Sequence, residues 1–264
     1  AAGNFEASLN NIQALTGATQ AEMAGLGDLA LQIGQDTAFS AQEGAQAIAE
    51  LGKSGVPIPD IMDGAAMAVA DLAAAGEVDM ARAAEVMGAA MNTFGIAGED
   101  AADVGDILAA GANKSAASIN DLAFGMAQAG AGAAALGIPL EDTVATLAAF
   151  ADRGLQGQDA GTSMKTMLAS LTPATKKARE EFIDLGLATA ELNDAGETII
   201  HNRFFDEQGN FVGMAEASNL LYDALKDMTQ EQRAMALETL FGSDASRAAA
   251  ILFDTQADAA SGAG

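Results

Sequence analysis

A glycine-rich stretch that ends in a lysine, GLQGQDAGTSMK at residues 154–165, has the composition of a phosphate-binding loop. In such a loop consecutive backbone N–H groups wrap the phosphates and the ammonium reaches their outer oxygens. That loop needs a glycine directly before the lysine and a buried strand in front of it. Here three residues separate Gly161 from Lys165, and the preceding stretch has helical apolar spacing. We therefore expect a link between two helices, with Thr162 or Ser163 capping the second helix.

No catalytic, cofactor-binding or metal-binding residue is predicted elsewhere. The single histidine, His201, has Arg203 and Asp206 nearby, but spacing places no second catalytic group beside it, so it is interpreted as a hairpin residue. The chain has no cysteine, which excludes disulfides and thiolate sites. A GAGAAA stretch at Gly130 imitates a dinucleotide motif, but it lies inside a helical pattern and indicates close helix packing.

The composition predicts an unusual core. Half of the 264 residues are apolar, yet only 5% are aromatic and there is no tryptophan, so helices must approach closely over small side chains. The 12 methionines could fill this core or form an adaptable partner surface. The formal net charge of −25 repels nucleic acid, so specific nucleic-acid binding is not expected.

Helix signals dominate the chain. Capping boxes, in which two residues cap each other at a helix start, are predicted at Thr19 with Glu22, Ser40 with Glu43, Ser118 with Asp121 and Thr229 with Gln232. The stretch TPATKKAREEFIDLG predicts a helix with Thr172 as N-cap, Pro173 first and Gly186 as terminator. Its acids Glu180, Glu181 and Asp184 are expected on a solvated face, opposite Lys176 and Lys177.

A repeat is visible in three six-residue strings, GVPIPD, GIAGED and GIPLED. They begin at Gly55, Gly95 and Gly137, spaced 40 and 42 residues apart. A glycine that ends one helix, a turn and an acid that starts the next helix describe a helical hairpin repeated three times. The acids Asp60, Asp100 and Asp142 could instead be metal ligands, but evenly spaced start signals on separate helices favour helix caps.

These patterns predict a mainly α protein of stacked short helices, with a small β-hairpin near residues 192–213. The expected domains are an Ala/Gly-rich helical-repeat core at 1–186, a hairpin insertion at 187–213 and C-terminal helices at 214–264. Turn signals at residues 194–196 and 208–210 flank the hairpin. The chain starts without Met, so we expect it to belong to a longer protein.

The ordered set of these segments resembles the core region of phage tail tape measure proteins. The resemblance covers about residues 5–252 and includes FEASLNNIQALTGAT, the helices around the repeat, the G-x-x-G-x-x-x-G-T-x-x-K stretch and LFGSDASRAAAIL. The residues that carry the motif are the three repeat glycines and Gly154, Gly157, Gly161, Thr162, Lys165, Phe241 and Gly242. Met164 and Met167 depart from the leucine that is more usual there.

The resemblance implies a structural virion protein, made in the host cytoplasm, that sets tail length and occupies the tail tube or tip until genome ejection. Implied partners are further copies of the chain with three-fold or six-fold symmetry, tail tube, distal tail and tail-tip proteins, and assembly chaperones. Transient contact with the host membrane is also implied. The rest of such a protein supplies the long ruler and often membrane-spanning or peptidoglycan-cutting parts.

Two alternatives remain at this level. The uncharged stretch Leu122–Leu140 approaches the length of a membrane span, which would suit a segment that inserts into the host envelope, although it is mostly Ala and Gly. A peptidoglycan hydrolase would need a glutamate in a cleft with aromatic side chains around it, and the near absence of Tyr and Trp argues against this activity.

Overall fold

The computed structural model describes residues 2–192 and 198–261 and is mainly helical, as predicted. The chain divides into two compact units, Ala1–Ala123 and Phe124–Gly264, with the boundary inside one helix. The domain boundaries predicted after residues 186 and 213 are a different kind of division, by secondary-structure type, and they stay predictions.

The first unit consists of helices with short links. A π-helical turn at Ile61–Ala65 joins α4 to α5, and a 3₁₀ turn at Gly98–Asp100 precedes α7. The helices are α1 (Ala2–Thr16), α2 (Gln20–Asp36), α3 (Ala41–Lys53), α4 (Ile58–Asp60), α5 (Ala66–Ala75), α6 (Met80–Phe94), α7 (Ala101–Asn113) and the start of α8 (Ile119–Ala135).

These helices form the predicted repeat of helical hairpins. Helices α3, α6 and α8 begin at Ala41, Met80 and Ile119, so each hairpin starts 39 residues after the one before it. Within the first unit α1 packs on α3 and α3 packs on α6, while the second helices of two hairpins, α5 and α7, pack on each other. This two-layer stacking is the arrangement of an α-solenoid, in which each repeat buries its apolar face against its neighbours.

Three links between helices share one hydrogen-bond pattern. In the link before α3, the Thr37 hydroxyl donates to the Ile33 carbonyl at 2.7 Å and accepts the N–H of Phe39 at 3.2 Å. Ser40 then caps α3 in a capping box with Glu43. The links that begin at Thr16 and Ser115 repeat this pattern before α2 and α8. The four predicted capping boxes are confirmed, including that of Thr229 with Gln232.

The second unit combines helices with one hairpin. Its elements after α8 are α9 (Leu140–Asp152), α10 (Gly157–Ser170), α11 (Lys176–Asp184), β1 (Ala188–Leu192), β2 (Thr198–Asn202), α12 (Met214–Leu225) and α13 (Gln230–Ser261). The strands pair antiparallel, with Ala188 opposite Asn202 and Ala190 opposite Ile200. Helix α13 packs on α10 and α12 and is interrupted at Gly242.

The hairpin lies slightly earlier in the chain than the predicted 192–213. Its first strand starts at Ala188, because the backbone turns at Gly186 and Leu187 is buried beneath it. The predicted turn at 208–210 is confirmed, since it connects Phe205 with Phe211 in an isolated antiparallel bridge. The other predicted turn, at 194–196, lies outside the described residues.

The start of α11 was predicted wrongly. Its N-cap is Thr175, whose hydroxyl accepts the N–H of Ala178 at 3.1 Å, and not Thr172. Helix α10 extends to Ser170 and α11 begins at Lys176, so Pro173 lies in the link between them, where proline is common just after a helix end. The predicted terminator, Gly186, is confirmed with φ 69°.

The core is built from small and flexible side chains, as the composition indicated. Seven methionines are buried, so filling the core is their main role, whereas Met62 and Met235 are exposed. The few aromatic residues cluster in the second unit. Phe182 meets Phe204 edge to face at 5.9 Å between ring centroids, and Phe253 lies between Tyr222 at 5.4 Å and the Arg233 guanidinium at 4.1 Å.

Candidate functional site

The glycine-rich stretch at 154–165 is not a phosphate-binding loop. Gly154 closes α9 with φ 79°, and α10 begins at Gly157, so most of the stretch is helical. The element before this stretch is the helix α9 and not a strand. Lys165 lies on the exposed side of α10, where its ammonium is directed away from the buried face.

The predicted capping role of Thr162 or Ser163 is wrong. The N-cap of α10 is Gln156, and both hydroxyl residues lie inside the helix. The prediction placed the helix start too late because it counted Ala160 and Gly161 as loop residues. Both belong to the buried face of α10, together with Met164 and residues further along the helix.

Gly161 has a packing role in α10. A Cβ atom at this position would clash with the carbonyl oxygen and Cα of Gly125 in α8, and it would lie 2.8 Å from Cβ of Gln128. The two helices therefore approach each other closely at a pair of glycines. Gly125 was not predicted from the sequence, because nothing local indicates that it faces Gly161.

The repeat glycines close helices in a common geometry. Gly55, Gly95 and Gly137 have φ of 86°, 66° and 73°, the left-handed conformation that favours glycine. After each of them the next residue donates its N–H to the carbonyl five residues back, as Ile96 does to Met91 at 2.9 Å. This hydrogen bond defines a Schellman motif, which satisfies a carbonyl at the helix end. The predicted helix-terminating role of the three glycines is confirmed.

In the described part of the chain the same motif occurs at six helix ends, including the one at Glu77, which was not predicted. The donors and acceptors of the six motifs are Val56 to Leu51, Val78 to Ala73, Ile96 to Met91, Ile138 to Ala133, Leu155 to Phe150 and Leu187 to Phe182. For five of them the sequence signal is a helical run followed by glycine and then Val, Ile or Leu. The left-handed residue is Glu77 in the second motif, and no other described residue besides glycine has positive φ.

The aspartates of the repeat strings lie at helix starts, as predicted, but the predicted capping role is wrong, because no side-chain cap hydrogen bond forms at the starts of α4, α7 and α9. Asp60 lies in α4, Asp100 directly precedes α7, and Asp142 lies in the first turn of α9. The Asp60 carboxylate also accepts the N–H of Gly98 at 3.2 Å, which connects the first repeat string to the second. Across residues 2–192 and 198–261, no three acidic or histidine side chains are grouped to hold a metal ion.

Phe241 and Gly242 mark the break in α13. Phe241 is buried, and Gly242 has φ 76° and ψ 173°, a conformation restricted to glycine. No atom lies within 4 Å of where its Cβ would be, so the backbone conformation alone requires glycine there. The break lets Arg233, before it, stack on Phe253, after it.

The hairpin carries His201 in an exposed position, as predicted. Its Nε2 lies 3.8 Å from Oε2 of Glu191 on the opposite strand. A cleft of roughly 480 Å³ beside the hairpin is lined by Thr189, Ile200, His201, Asn202, Arg203, Phe205, Asp206 and Glu207. Asp206 is engaged in the following turn, where the side chain and N–H of Asn210 donate to its carboxylate and hold its pKa below the ordinary value. This arrangement has no nucleophile beside a base.

Helix α11 carries charges of both signs. Lys176 approaches Glu180 with 3.5 Å between Nζ and Oε1. Both side chains are largely exposed, so the pair adds little stability. The uncharged stretch Leu122–Leu140 is divided between α8 and the turn before α9, and no helix in the described part of the chain is long and apolar enough to cross a bilayer.

Comparison with known proteins gives one consistent answer. The model of a family described as phage-related minor tail protein matches residues 27–242. The chain is 32% identical over 250 residues to the tape measure protein of Pneumococcus phage Dp-1. The alignment covers 95% of this chain and 20% of that protein. It is 28% identical over 259 residues to the probable tape measure protein of Escherichia phage P2, covering 94% of this chain and 29% of that protein. No solved structure matches the chain.

Proposed function

Because the chain belongs to the family of phage-related minor tail proteins, we propose that it is a folded part of a tape measure, which sets tail length and stays in the tail until genome ejection. The chain spans less than a third of the length of the two relatives it matches. The tape-measure role proposed for the whole protein therefore rests on those relatives. The role proposed for this chain rests on its own fold.

The observation that carries the proposal is the stack of 39-residue helical hairpins inside the matched region. A ruler that measures by length needs extended helix, which rises about 1.5 Å per residue. In this chain the left-handed glycines turn the backbone after 9 to 17 residues of helix, as in α11 and α8. We propose that this part does not measure length and instead acts as a packing unit beside other tail proteins.

The proposed role is structural, without catalysis. Its working surfaces are exposed helix faces, and its partners are further copies of the chain in three-fold or six-fold symmetry, tail tube, distal tail and tail-tip proteins, and assembly chaperones. The proposed location is the tail tube or tip. The acidic surface, at net charge −25, would repel DNA that later passes through the tube. We also propose that the helical repeat at 1–186, the hairpin at 187–213 and the C-terminal helices at 214–264 are separate domains, and that each makes part of these contacts.

An in-frame deletion of residues 27–242 from the gene tests the proposal. We expect few or no assembled tails in the lysates, counted by electron microscopy, because the protein would lack its packing unit. A point variant at an exposed site, Lys53→Ala, serves as the matched control and should give normal tails. Tails of normal number and length in the deletion would overturn the proposal.

A further inference from the structure

Basic residues are concentrated in one part of this acidic chain. Residues 160–179 contain no acid but hold four of the 12 basic residues, Lys165, Lys176, Lys177 and Arg179. We call these four residues the basic strip. All of them are exposed, and within the described chain only Lys176 forms an ion pair.

Three of the four residues of the basic strip are placed against the preference of helix α11. Lys176, Lys177 and Arg179 occupy the first turn of α11, whereas the acids of that helix lie toward its C-terminal end. The partial positive charge at a helix N-terminus favours acids there and disfavours cations. Residues that violate a local folding preference without a packing reason are expected at functional surfaces.

A complementary surface lies in the first unit. Glu99, Asp103 and Asp106 are spaced four and three residues apart, so they share one face of the 3₁₀ turn and α7. We call them the acidic strip. All three are exposed, and none forms an ion pair with a described residue. The first unit as a whole has 17 acids and three basic residues.

We propose that the basic strip of one copy docks on the acidic strip of a second copy of the chain. The inference rests on the proposed function, which places several copies side by side. We choose a second copy as the partner because its acidic strip has the opposite charge and forms no ion pairs with described residues of its own chain. The two strips are unlike surfaces, and a contact between unlike surfaces can repeat from copy to copy around a ring. DNA is a poor occupant because the chain as a whole repels it.

The proposal predicts an unusual salt dependence. At about 0.01 M salt the screening length is about 30 Å, so the net charge of −25 on each copy drives copies apart. At about 0.15 M salt the screening length is about 8 Å, so the repulsion between whole copies is screened and the attraction between touching strips remains. At 1 M the strip contact is screened as well. Association should therefore be strongest near 0.15 M salt.

Charge-swapped variants of the chain test the contact. Lys165→Glu/Lys177→Glu should lower association at least fivefold, and so should Asp103→Lys/Asp106→Lys. A chain with all four substitutions has the original net charge of −25 and should regain association. Matched controls make the same charge changes elsewhere, as Lys53→Glu/Lys226→Glu and Asp28→Lys/Asp71→Lys, and should associate like the wild type. Circular dichroism establishes that each variant is folded.

Association is measured by zero-length carbodiimide cross-linking of an equal mixture of ¹⁴N and ¹⁵N chains, followed by mass spectrometry. The reagent joins a lysine amine to a carboxylate only when they touch, and mixed-isotope links report contacts between copies. We expect mixed links between the two strips. Their absence, their persistence in both double variants, or binding of duplex DNA by the basic strip at 0.15 M salt would overturn the inference. None of these outcomes would affect the tail-deletion test, so the two proposals can fail separately.

Discussion

At the residue scale, one helix end stores backbone strain that glycine would relieve. Glu77 has φ 52°, whereas the other five Schellman motifs use glycine at this position. A residue with a Cβ is disfavoured in the left-handed region. Glu77→Gly should therefore raise the free energy of unfolding by about 0.5–1 kcal/mol.

Urea denaturation of the variant and the wild type measures this effect. The converse variant, Gly95→Ala, has φ 66° and no atom within 4 Å of the new Cβ, so it should lose a similar amount from backbone strain alone. A Glu77→Gly protein that is less stable than the wild type would show that the Glu77 side chain makes a stabilising contact.

The close approach of α8 and α10 gives a second prediction at this scale. Gly161→Ala would push a methyl group into the backbone of Gly125, which cannot move without shifting α8. We expect a loss of about 1–3 kcal/mol in unfolding free energy, the range for overpacking in a well-packed core. Thermal unfolding followed by circular dichroism provides the measurement.

Gly132→Ala is the matched control for that variant. Gly132 lies in α8 as well, but nothing lies within 4 Å of its missing Cβ. Alanine is the better helix former, so this substitution should raise stability by about 0.5–1 kcal/mol. Equal effects of the two alanines would mean that Gly161 does not set the spacing between α8 and α10.

At the element scale, the capping boxes make helix starts sensitive to acid. The backbone N–H and hydroxyl of Ser40 donate to the Glu43 carboxylate and hold the pKa of Glu43 below its ordinary value of 4.5. Thr19 has the same effect on Glu22. A lowered pKa in the folded state means that the stabilisation is present above pH 4.5 and is lost as the pH falls through the folded value.

The variant Glu43→Gln isolates this effect, because glutamine keeps an acceptor but carries no charge. The wild type should exceed the variant in unfolding free energy at pH 7, and the difference should shrink as the pH falls from 4.5 to 2. Urea denaturation at each pH gives the values. A difference that is the same at pH 7 and pH 2 would contradict the assigned charge effect.

The sequence predicted elements well wherever the signal is local. Capping boxes and helix-ending glycines involve residues at most five positions apart, so their hydrogen bonds follow from the chain itself. The starts of α10 and α11 failed for a related reason. Helix α10 starts at Gly157, before both hydroxyl residues, because Ala160 and Gly161 belong to its buried face. It continues to Ser170, which leaves Thr175 rather than Thr172 to cap α11. Contacts such as Asp60 with Gly98 join residues 38 positions apart and have no local signal.

At the scale of the whole molecule, the family and the helical-hairpin repeat were predicted, but the division into two units was not. The repeat was visible because its glycines and acids recur at nearly constant spacing. The boundary between Ala123 and Phe124 falls inside a continuous helix, where no change in composition marks it. The basic strip was also missed as a surface, although the absence of acids from residues 160–179 could have revealed it.

We propose that this part of the tape measure is a folded packing unit that does not measure length. A tail whose tape measure carries a second copy of residues 80–118, inserted after Ser118, tests it directly, because solenoids accept whole repeats. Tail lengths are measured by electron microscopy beside the wild type. We predict a change of no more than about 10 Å, one spacing between packed helices. Lengthening by about 58 Å, the rise of 39 residues of continuous helix, would contradict the account.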